Sequence, residues 1–400
     1  MHCVRRETCN LFTLVGAGLL CLTMLVASWA GKPDTNSVGR VALEKHLATL
    51  LDVGREGQGN VAATDAWQQV AAADAGALPH VLAALDGASP LAANWIASAA
   101  EAIVGRTLNA QNPLPSSALK LYVLDTKHAP RGRRLAFEWL NEADATMAAA
   151  MTPGFLHDPS PELRREAVAR LLDEAAAKKA EHADHAALRM VYQKALSGAC
   201  DLDQVKLIKA ELEQLGEKVD LAKHFGFITA WQVIGPFDNR GEQGFDVAYP
   251  PEQQIDLAAR YDGKPRDGNA RSVTWQPTTT QDEFGVHDLN KAIGQENGVV
   301  AYAFAEFWSD RDRPADLRLG RDNAYKLWLN GWLVHENRVY HSGSEMDQYV
   351  GRGTLHAGRN TILLKVLQNE QKEDWAQGWS FQIRVCDRAG QAIVSSRVGS

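Results

Sequence analysis

The chain has 400 residues, of which 45% are hydrophobic and 23% charged, and its formal net charge at pH 7 is −7. This length favours two domains, because a single hydrophobic core rarely grows beyond about 250–300 residues. The acidic balance argues against a nucleic-acid-binding protein, which needs a basic surface.

The N-terminal segment has the layout of a secretory signal peptide. Arg5 and Arg6 precede an apolar run over residues 11–27, and Ser28-Trp29-Ala30 offers small residues for a cleavage site. We therefore expect residues 1–30 to be a signal peptide and the protein to be exported to a periplasm, a cell envelope or the medium. An uncleaved anchor helix is the alternative, and it would be the only contact with a membrane.

The cysteine content indicates that the fold is stabilised by its hydrophobic core. Cys3, Cys9 and Cys21 lie in the presumed signal segment, which leaves Cys200 and Cys386. Two cysteines, one in each half, exclude a disulfide framework and a zinc site built on cysteine.

Residues 31–216 are predicted to form an α-helical domain. Alanine and leucine recur at spacings of three and four in VALEKHLATLLDV, ALPHVLAALDG and LAANWIASAAEAIVGR. Short, paired, alanine-rich helices favour stacked helical hairpins over a closed bundle. Residues 173–198 and 202–216 are predicted as two longer helices, and His182, Asp184 and His185 then lie on the first of them.

The segment 158–175, DPSPELRREAVARLLDEA, is the most specific of the helical patterns. It begins with a capping residue and a proline, and Glu162 lies in the first turn. The apolar stripe that follows consists of Leu163, Ala167, Leu171 and Leu172.

After Phe225 the hydrophobic period changes to two, which predicts strands. We place strands at residues 227–235, 301–308, 325–329, 332–336, 360–368 and 379–385. Residues 217–226 are expected to be a linker and residues 227–400 an antiparallel β-sandwich or jelly roll. The polar interval 250–298 is expected to hold one or two short strands near SVTWQP and otherwise loops.

A hairpin is predicted at Asn330-Gly331, because a type I′ turn needs positive φ at both central residues. Strict alternation places Tyr325, Leu327, Leu329, Trp332 and Val334 on the core side. It places Lys326, Trp328, Leu333 and His335 on the opposite side. This second face has two interpretations: a loop or the helices cover it, or Trp328 is an aromatic platform for a sugar ring.

In the second interpretation the candidate ligand-binding residues are Trp328, Lys326, His335, Asp322, Asn323 and Arg338. An aromatic face suits the C–H face of a pyranose, and the polar groups can bond its hydroxyls. Burial of Trp328 would favour a protein without a sugar ligand.

Several of these segments resemble known families. Residues 158–175 resemble the second helix of a HEAT-like repeat. RLGRDNAYKLWLNGWLVHEN followed by LHAGRNTILLKVLQ resembles the galactose-binding-like β-sandwich found at the front of family-two glycoside hydrolases. Asp322 matches that pattern, whereas Asn323 and Ala324 replace its second Asp and its Gly. WQVIGPFDNRGEQGFDVAYPPE, residues 231–252, resembles secreted planctomycete-like bacterial proteins that join HEAT-like repeats to such a sandwich. The resemblance implies a fold more than a ligand.

No catalytic motif is present in the sequence: it has neither a Gly-x-Ser-x-Gly elbow nor a phosphate-binding loop. Oxygen ligands for a structural Ca²⁺ are offered by Asp238, Asn239, Glu242 and Asp246, but an ordinary capped loop is the favoured interpretation and no cofactor is expected.

The leading hypothesis is a non-catalytic exported protein whose sandwich binds carbohydrate and whose helices contact a protein partner. The alternatives are a cell-envelope scaffolding protein without a sugar ligand, an accessory subunit or domain of a glycoside hydrolase system, and an enzyme with a site at the domain junction.

Overall fold

The computed structural model describes residues 35–397, with side chains from residue 39 onward. The predicted signal peptide, residues 1–30, lies outside the described residues. Among the residues described, no helix is both long and apolar enough to cross a lipid bilayer.

The first half of the described chain is helical. Its helices are α1 (Thr35–Leu51), α2 (Asn60–Ala71), α3 (Leu78–Ala83), α4 (Pro90–Asn109), α5 (Ser116–Leu124), α6 (Pro130–Ala143), α7 (Ala145–Met151), α8 (Pro161–Ala180), α9 (His185–Gly198), α10 (Leu202–Gln214) and α11 (Leu221–Phe225). Alanine and leucine side chains from successive helices share one continuous core.

Helix α8 begins as its sequence predicts. The Ser160 hydroxyl accepts the backbone N–H of Leu163, and Pro161 occupies the first turn. Leu163, Ala167 and Leu171 of the predicted stripe are buried.

One helix prediction is wrong. Residues 173–198 do not form a single helix, because α8 ends at Ala180 and His182 adopts a φ of 56°. Asp184 then caps α9 by accepting the N–H of Ala187 at 2.7 Å. His182 and His185 therefore do not share a helix face.

The second half is built from antiparallel strands. They are β1 (Ala230–Asp238), β2 (Arg260–Arg266), β3 (Asn269–Thr274), β4 (Gln276–Thr279), β5 (His287–Asp288), β6 (Val299–Ser309), β7 (Arg313–Gly320), β8 (Tyr325–Leu329), β9 (Trp332–Asn337), β10 (Tyr349–Leu355), β11 (Gly358–Gln368) and β12 (Ser380–Cys386), with single-turn helices α12 (Pro250–Gln253) and α13 (Leu289–Ala292). The predicted order, helices followed by antiparallel sheets, is confirmed.

Two of the sheets enclose a core. A six-stranded sheet has the order β4-β1-β6-β11-β8-β9, and a four-stranded sheet has the order β10-β7-β12-β5. Apolar side chains of both, such as Leu327 and Leu364 from the first and Leu317 and Ile383 from the second, pack into one buried cluster. The sheets thus form a sandwich-like pair, and β2 and β3 form a separate hairpin.

The outer face of the six-stranded sheet is also covered. Phe237, Tyr302 and Phe304 pack there with Phe245 and, at the margin, with Tyr249 and Tyr261. Part of the polar interval 250–298 supplies this cover, and the interval holds more strand than the sequence predicts, namely β2 to β5.

The two halves are in direct contact. The predicted linker 217–226 contains α11, and Phe225 is 1% exposed in the helical core. Arg384 of β12 donates to the carbonyl of Phe225 at 3.3 Å. An isolated antiparallel β-bridge also joins Phe227 to Arg384. This segment packs as part of the folded body.

Candidate functional site

The hairpin forms at the predicted turn. Asn330 and Gly331 have φ angles of 52° and 81°, as a type I′ turn requires. The Asn330 amide is fixed further, since its Oδ1 accepts the N–H of Thr361 at 2.9 Å and its Nδ2 donates to Asn360 at 2.8 Å.

The register of the hairpin differs from the prediction. Trp328 lies opposite Leu333, but Leu327 lies opposite His335, so Val334 is an extra residue in β9. Such a bulge reverses the sides of the residues that follow it. His335 consequently points to the same side as Tyr325.

The prediction that Trp332 belongs to the core is wrong. Its side chain is 79% exposed, although Leu329 opposite it is buried. Trp328, for which a covered face and a sugar platform were the two interpretations, is half-buried and packs at the margin of the outer cluster. Lys326 beside it lies 4.5 Å from the ring centroid of Phe245. The covering segment favours the interpretation in which this face is packed.

The other candidate residues do not converge on Trp328. The His335 ring stacks on Tyr325 at 5.7 Å, its Nδ1 is 2.8 Å from the Tyr325 hydroxyl, and burial lowers its pKa. Arg338 is paired with Asp246 at 2.9 Å. Asn323 is 1% exposed and belongs to a different group of residues, at the end of the sheets.

Three of the four residues considered for calcium have protein partners, and the fourth, Glu242, lines an open cleft. Asp238 binds Arg240, Asp246 binds Arg338, and the buried Asn239 donates to the carbonyl of Gln368 at 2.9 Å. Within residues 35–397, no cluster of three or more His, Cys, Asp or Glu residues is arranged to hold a metal ion.

An open cleft lies where the loops after β1 and β11 meet. Its volume is about 640 Å³, and it is lined by Gly241, Glu242 and residues 369–373. The loop after β11 continues to Trp375, whose side chain is 66% exposed. Trp375 meets the ring of His341 edge to face, with centroids 5.1 Å apart. We call the cleft with Trp375 and His341 the loop-end cleft.

The groups behind Trp375 are held in place by amides. His341 Nε2 lies 3.0 Å from Asn369 Oδ1, and since an amide oxygen only accepts, Nε2 carries the proton. The backbone N–H of His341 donates to Asn323 Oδ1 at 3.2 Å, and Asn323 Nδ2 donates to Gln368 at 2.8 Å. Asn323 thus lies behind the cleft and positions the backbone of His341. Asp322 contributes its carbonyl, which accepts from Ser342.

Sequence reasoning missed Trp375, His341 and Asn369. Trp375 stands in QKEDWAQGW, where a large aromatic residue is surrounded by polar residues outside any strand pattern. An aromatic residue in such a loop has no core position to explain it, and this was the available signal.

The helical half carries a second, larger cleft of about 1280 Å³ between α1, α3 and α5. Leu121, which is 71% exposed, lines it together with His46, His80 and His128. His128 stacks on Tyr122 at 4.0 Å and binds Asp86 at 2.7 Å. The cleft combines an apolar surface with a few polar groups, as binding sites do.

No protein-family model matches the chain, and no curated protein matches it. Three solved structures show partial similarity. A β-glucosidase from Kluyveromyces marxianus in complex with glucose is 12% identical, with a TM-score of 0.18 over 22% of this chain and 11% of that one. A GH26-CBM35 β-(1,4)-mannanase from Podospora anserina is 16% identical, with a TM-score of 0.16 over 26% and 25%. A GH31 α-xylosidase from Xanthomonas citri is 9% identical, with a TM-score of 0.19 over 39% and 17%.

The chain thus spans at most 25% of the length of these three proteins. At such TM-scores the similarities carry no argument about this chain.

Proposed function

We propose that this is an exported, non-catalytic binding protein. Its sheets, as a galactose-binding-like jelly roll, recognise carbohydrate at the loop-end cleft, and its helices, as HEAT-like repeats, contact a protein partner. The observation that carries the proposal is the 66% exposed Trp375, which follows the residues 369–373 that line a cleft of mostly polar side chains. We place the sugar site at the loop-end cleft rather than on the Trp328 face, because Trp328 is half-buried by the segment that contains Phe245.

The chemistry of the cleft suits a saccharide. Trp375 presents an indole face on which the C–H groups of a pyranose can stack. Gln371 and Glu373 line the cleft and supply amide and carboxylate groups for sugar hydroxyls. A cleft that is open on one side accepts a chain end or a side branch rather than enclosing a small molecule.

A glycan array followed by calorimetry on the best saccharide tests the proposal. Trp375→Ala should weaken binding about tenfold, since loss of an aromatic platform costs on the order of 1.4 kcal/mol. Trp332→Ala is the matched control, because that residue is exposed but lies at the hairpin turn. Binding that survives Trp375→Ala and is lost in Trp328→Ala would return the site to the hairpin. Absence of binding to every saccharide would contradict a carbohydrate-binding function.

The cleft of the helices favours a second function, scaffolding through a protein partner. Its exposed Leu121 gives an attachment point for a photo-crosslinking side chain. Val61, 85% exposed and outside the cleft, is the control position. A partner cross-linked from position 121 and not from position 61 would support this function. Equal cross-linking from both positions would contradict it.

A further inference from the structure

Arg321 is a buried cation without a paired carboxylate. It follows β7 directly, is 0% exposed, and packs over the Tyr325 ring at 5.6 Å. Its Nη1 donates to the carbonyl of Ala324 at 3.0 Å. Its Nε and Nη2 have no hydrogen-bond partner among residues 35–397. No carboxylate of the described residues lies within 4.0 Å of this guanidinium.

The other buried arginines of this chain are satisfied. Arg133, 1% exposed, binds both oxygens of Asp158 at 2.6 and 2.7 Å and the carbonyl of Val123 at 2.8 Å. Arg384, 2% exposed, binds both oxygens of Asp347 and two carbonyls. The fully buried Lys365 likewise binds Glu252 at 2.7 Å. Arg164, 4% exposed, has no carboxylate partner in the described part of the chain, but its N–H groups donate to the carbonyl of Asp158 at 2.8 and 3.0 Å and to Gln391 Oε1 at 2.9 Å. Arg321 differs from these groups in having two N–H positions without an acceptor among the described residues.

Burying an unpaired guanidinium is costly, because each unsatisfied N–H loses its water and an isolated charge loses its solvation. Burial lowers the pKa of Arg321 to about 9, so at neutral pH the group still carries its charge. A buried ion is tolerated when an opposite charge meets it. Water can satisfy an N–H group but cannot neutralise a cation.

Two neutral residues lie near Arg321. Gln348 Oε1 accepts the backbone N–H of Arg321 at 3.3 Å, and the Tyr349 ring lies 5.2 Å from the Tyr325 ring over which Arg321 packs. Tyr340 accepts the amide of Asn239 at 3.1 Å and keeps its own proton to donate. Asp322 is the nearest acidic neighbour in sequence, and its charge acts on Arg321 from outside ion-pair distance.

We propose that Arg321 holds a small monovalent anion of the size of chloride at its Nε and Nη2 groups, next to the Tyr325 ring. The anion completes the hydrogen bonds of Nε and Nη2 and neutralises the guanidinium. Its site is inside the sheet half and separate from the loop-end cleft, so it does not depend on the proposed function.

Thermal unfolding in sodium chloride and in sodium gluconate at equal ionic strength tests this site, since gluconate is too large for a buried position. The unfolding temperature should be higher in chloride by about 2–4 °C. Arg321→Met should abolish the difference, whereas the exposed control Arg352→Met should retain it. Equal temperatures in the two salts, or a difference that persists in Arg321→Met, would overturn the proposal in favour of water alone.

Crystals soaked in sodium bromide provide a measurement that does not depend on the variant folding. An anomalous peak within about 3.5 Å of the Arg321 guanidinium is expected. Bromide peaks on the surface without one at Arg321 would contradict the inference.

Discussion

His287 shows how one buried side chain makes the stability of the whole protein depend on pH. It is 3% exposed and stacks on Phe381, with ring centroids 5.4 Å apart. Burial lowers its pKa from 6.5 to about 4. Between these values the unfolded chain binds a proton that the folded protein does not, so stability falls as the pH drops from about 6.5 to about 4.

We expect this residue alone to make the protein about 2.5 kcal/mol less stable at pH 4.5 than at pH 7. Urea unfolding at the two pH values measures the difference, and His287→Phe should remove this part of it. An unchanged pH dependence in the variant would show that His287 is not buried in its neutral form.

Lys365 and Glu252 form a buried ion pair that fixes the covering segment to the outer face of the large sheet. Lys365 Nζ also donates to the carbonyl of Val247 at 2.7 Å, and burial lowers its pKa. Glu252→Gln should cost about 3 kcal/mol, because it leaves a buried ammonium without its counter-charge.

The control for this prediction is Glu336→Gln, which removes the partner of the half-buried Lys326 at 3.4 Å. That pair is partly exposed and should contribute less than about 1 kcal/mol. Equal losses of unfolding free energy for the two variants in urea would contradict the prediction that the buried pair contributes more than the exposed one.

At the scale of elements, the hairpin separates what local sequence determines from what it does not. The turn follows from Asn330-Gly331, whose positive φ angles are intrinsic to those residues. The bulge at Val334 was not predictable, because it depends on β10, where a side chain on Gly351 would meet Val334 Cγ2 at 2.9 Å. Alternation alone assigned Trp332 to the core, whereas its side chain is exposed, and it placed His335 on the wrong side of the sheet.

The two tryptophans should respond differently to removal. Trp328→Ala is expected to cost about 2 kcal/mol, because the half-buried ring packs against the outer cluster. Trp332→Ala should change stability by less than about 0.5 kcal/mol, since its side chain is 79% exposed. Chemical denaturation of both variants measures this, and a larger loss for Trp332 would restore the alternating assignment.

Strands with clear alternation were predicted, whereas β7 and β10 were missed. In β10 two glycines, Gly351 and Gly353, interrupt the pattern, and in β7 Pro314 and the charged Asp316 and Arg318 do so. Asp316 is nonetheless buried, and Arg388 binds it at 3.1 Å. The loop-end cleft was not predicted, because Trp375 and His341 lie in different segments of the sequence and meet only in the folded structure.

At the scale of the whole molecule, Gly226 lies where the helices meet the sheets. Its φ is 77°, and a Cβ there would meet the carbonyl oxygen of Val385 at 2.6 Å. Gly216 ends α10 with a similar φ of 81° but has no atom within 4 Å of a Cβ position. Substitutions at these two glycines therefore distinguish the cost of a positive φ from the cost of a clash between the helices and the sheets.

Gly216→Ala should cost about 1 kcal/mol, which is the penalty for a positive φ alone. Gly226→Ala should cost at least about 3 kcal/mol, because the added methyl group also pushes β12 away from the junction. Circular dichroism and tryptophan fluorescence during urea unfolding measure both variants. Equal losses would mean that the halves are not in close contact at Gly226.

The strand order of the six-stranded sheet has a consequence for synthesis on the ribosome. β6 is central, with β1 on one side and β11 on the other, and β8 and β9 reach the sheet only through β11. Until residue 368 has been translated, β6 presents an open edge and the β8–β9 hairpin has no strand to join. The helices, whose contacts are local, can fold while the ribosome is still making the sheets. A nascent chain stalled before β11 would therefore carry a folded helical half joined to an incomplete, aggregation-prone sheet.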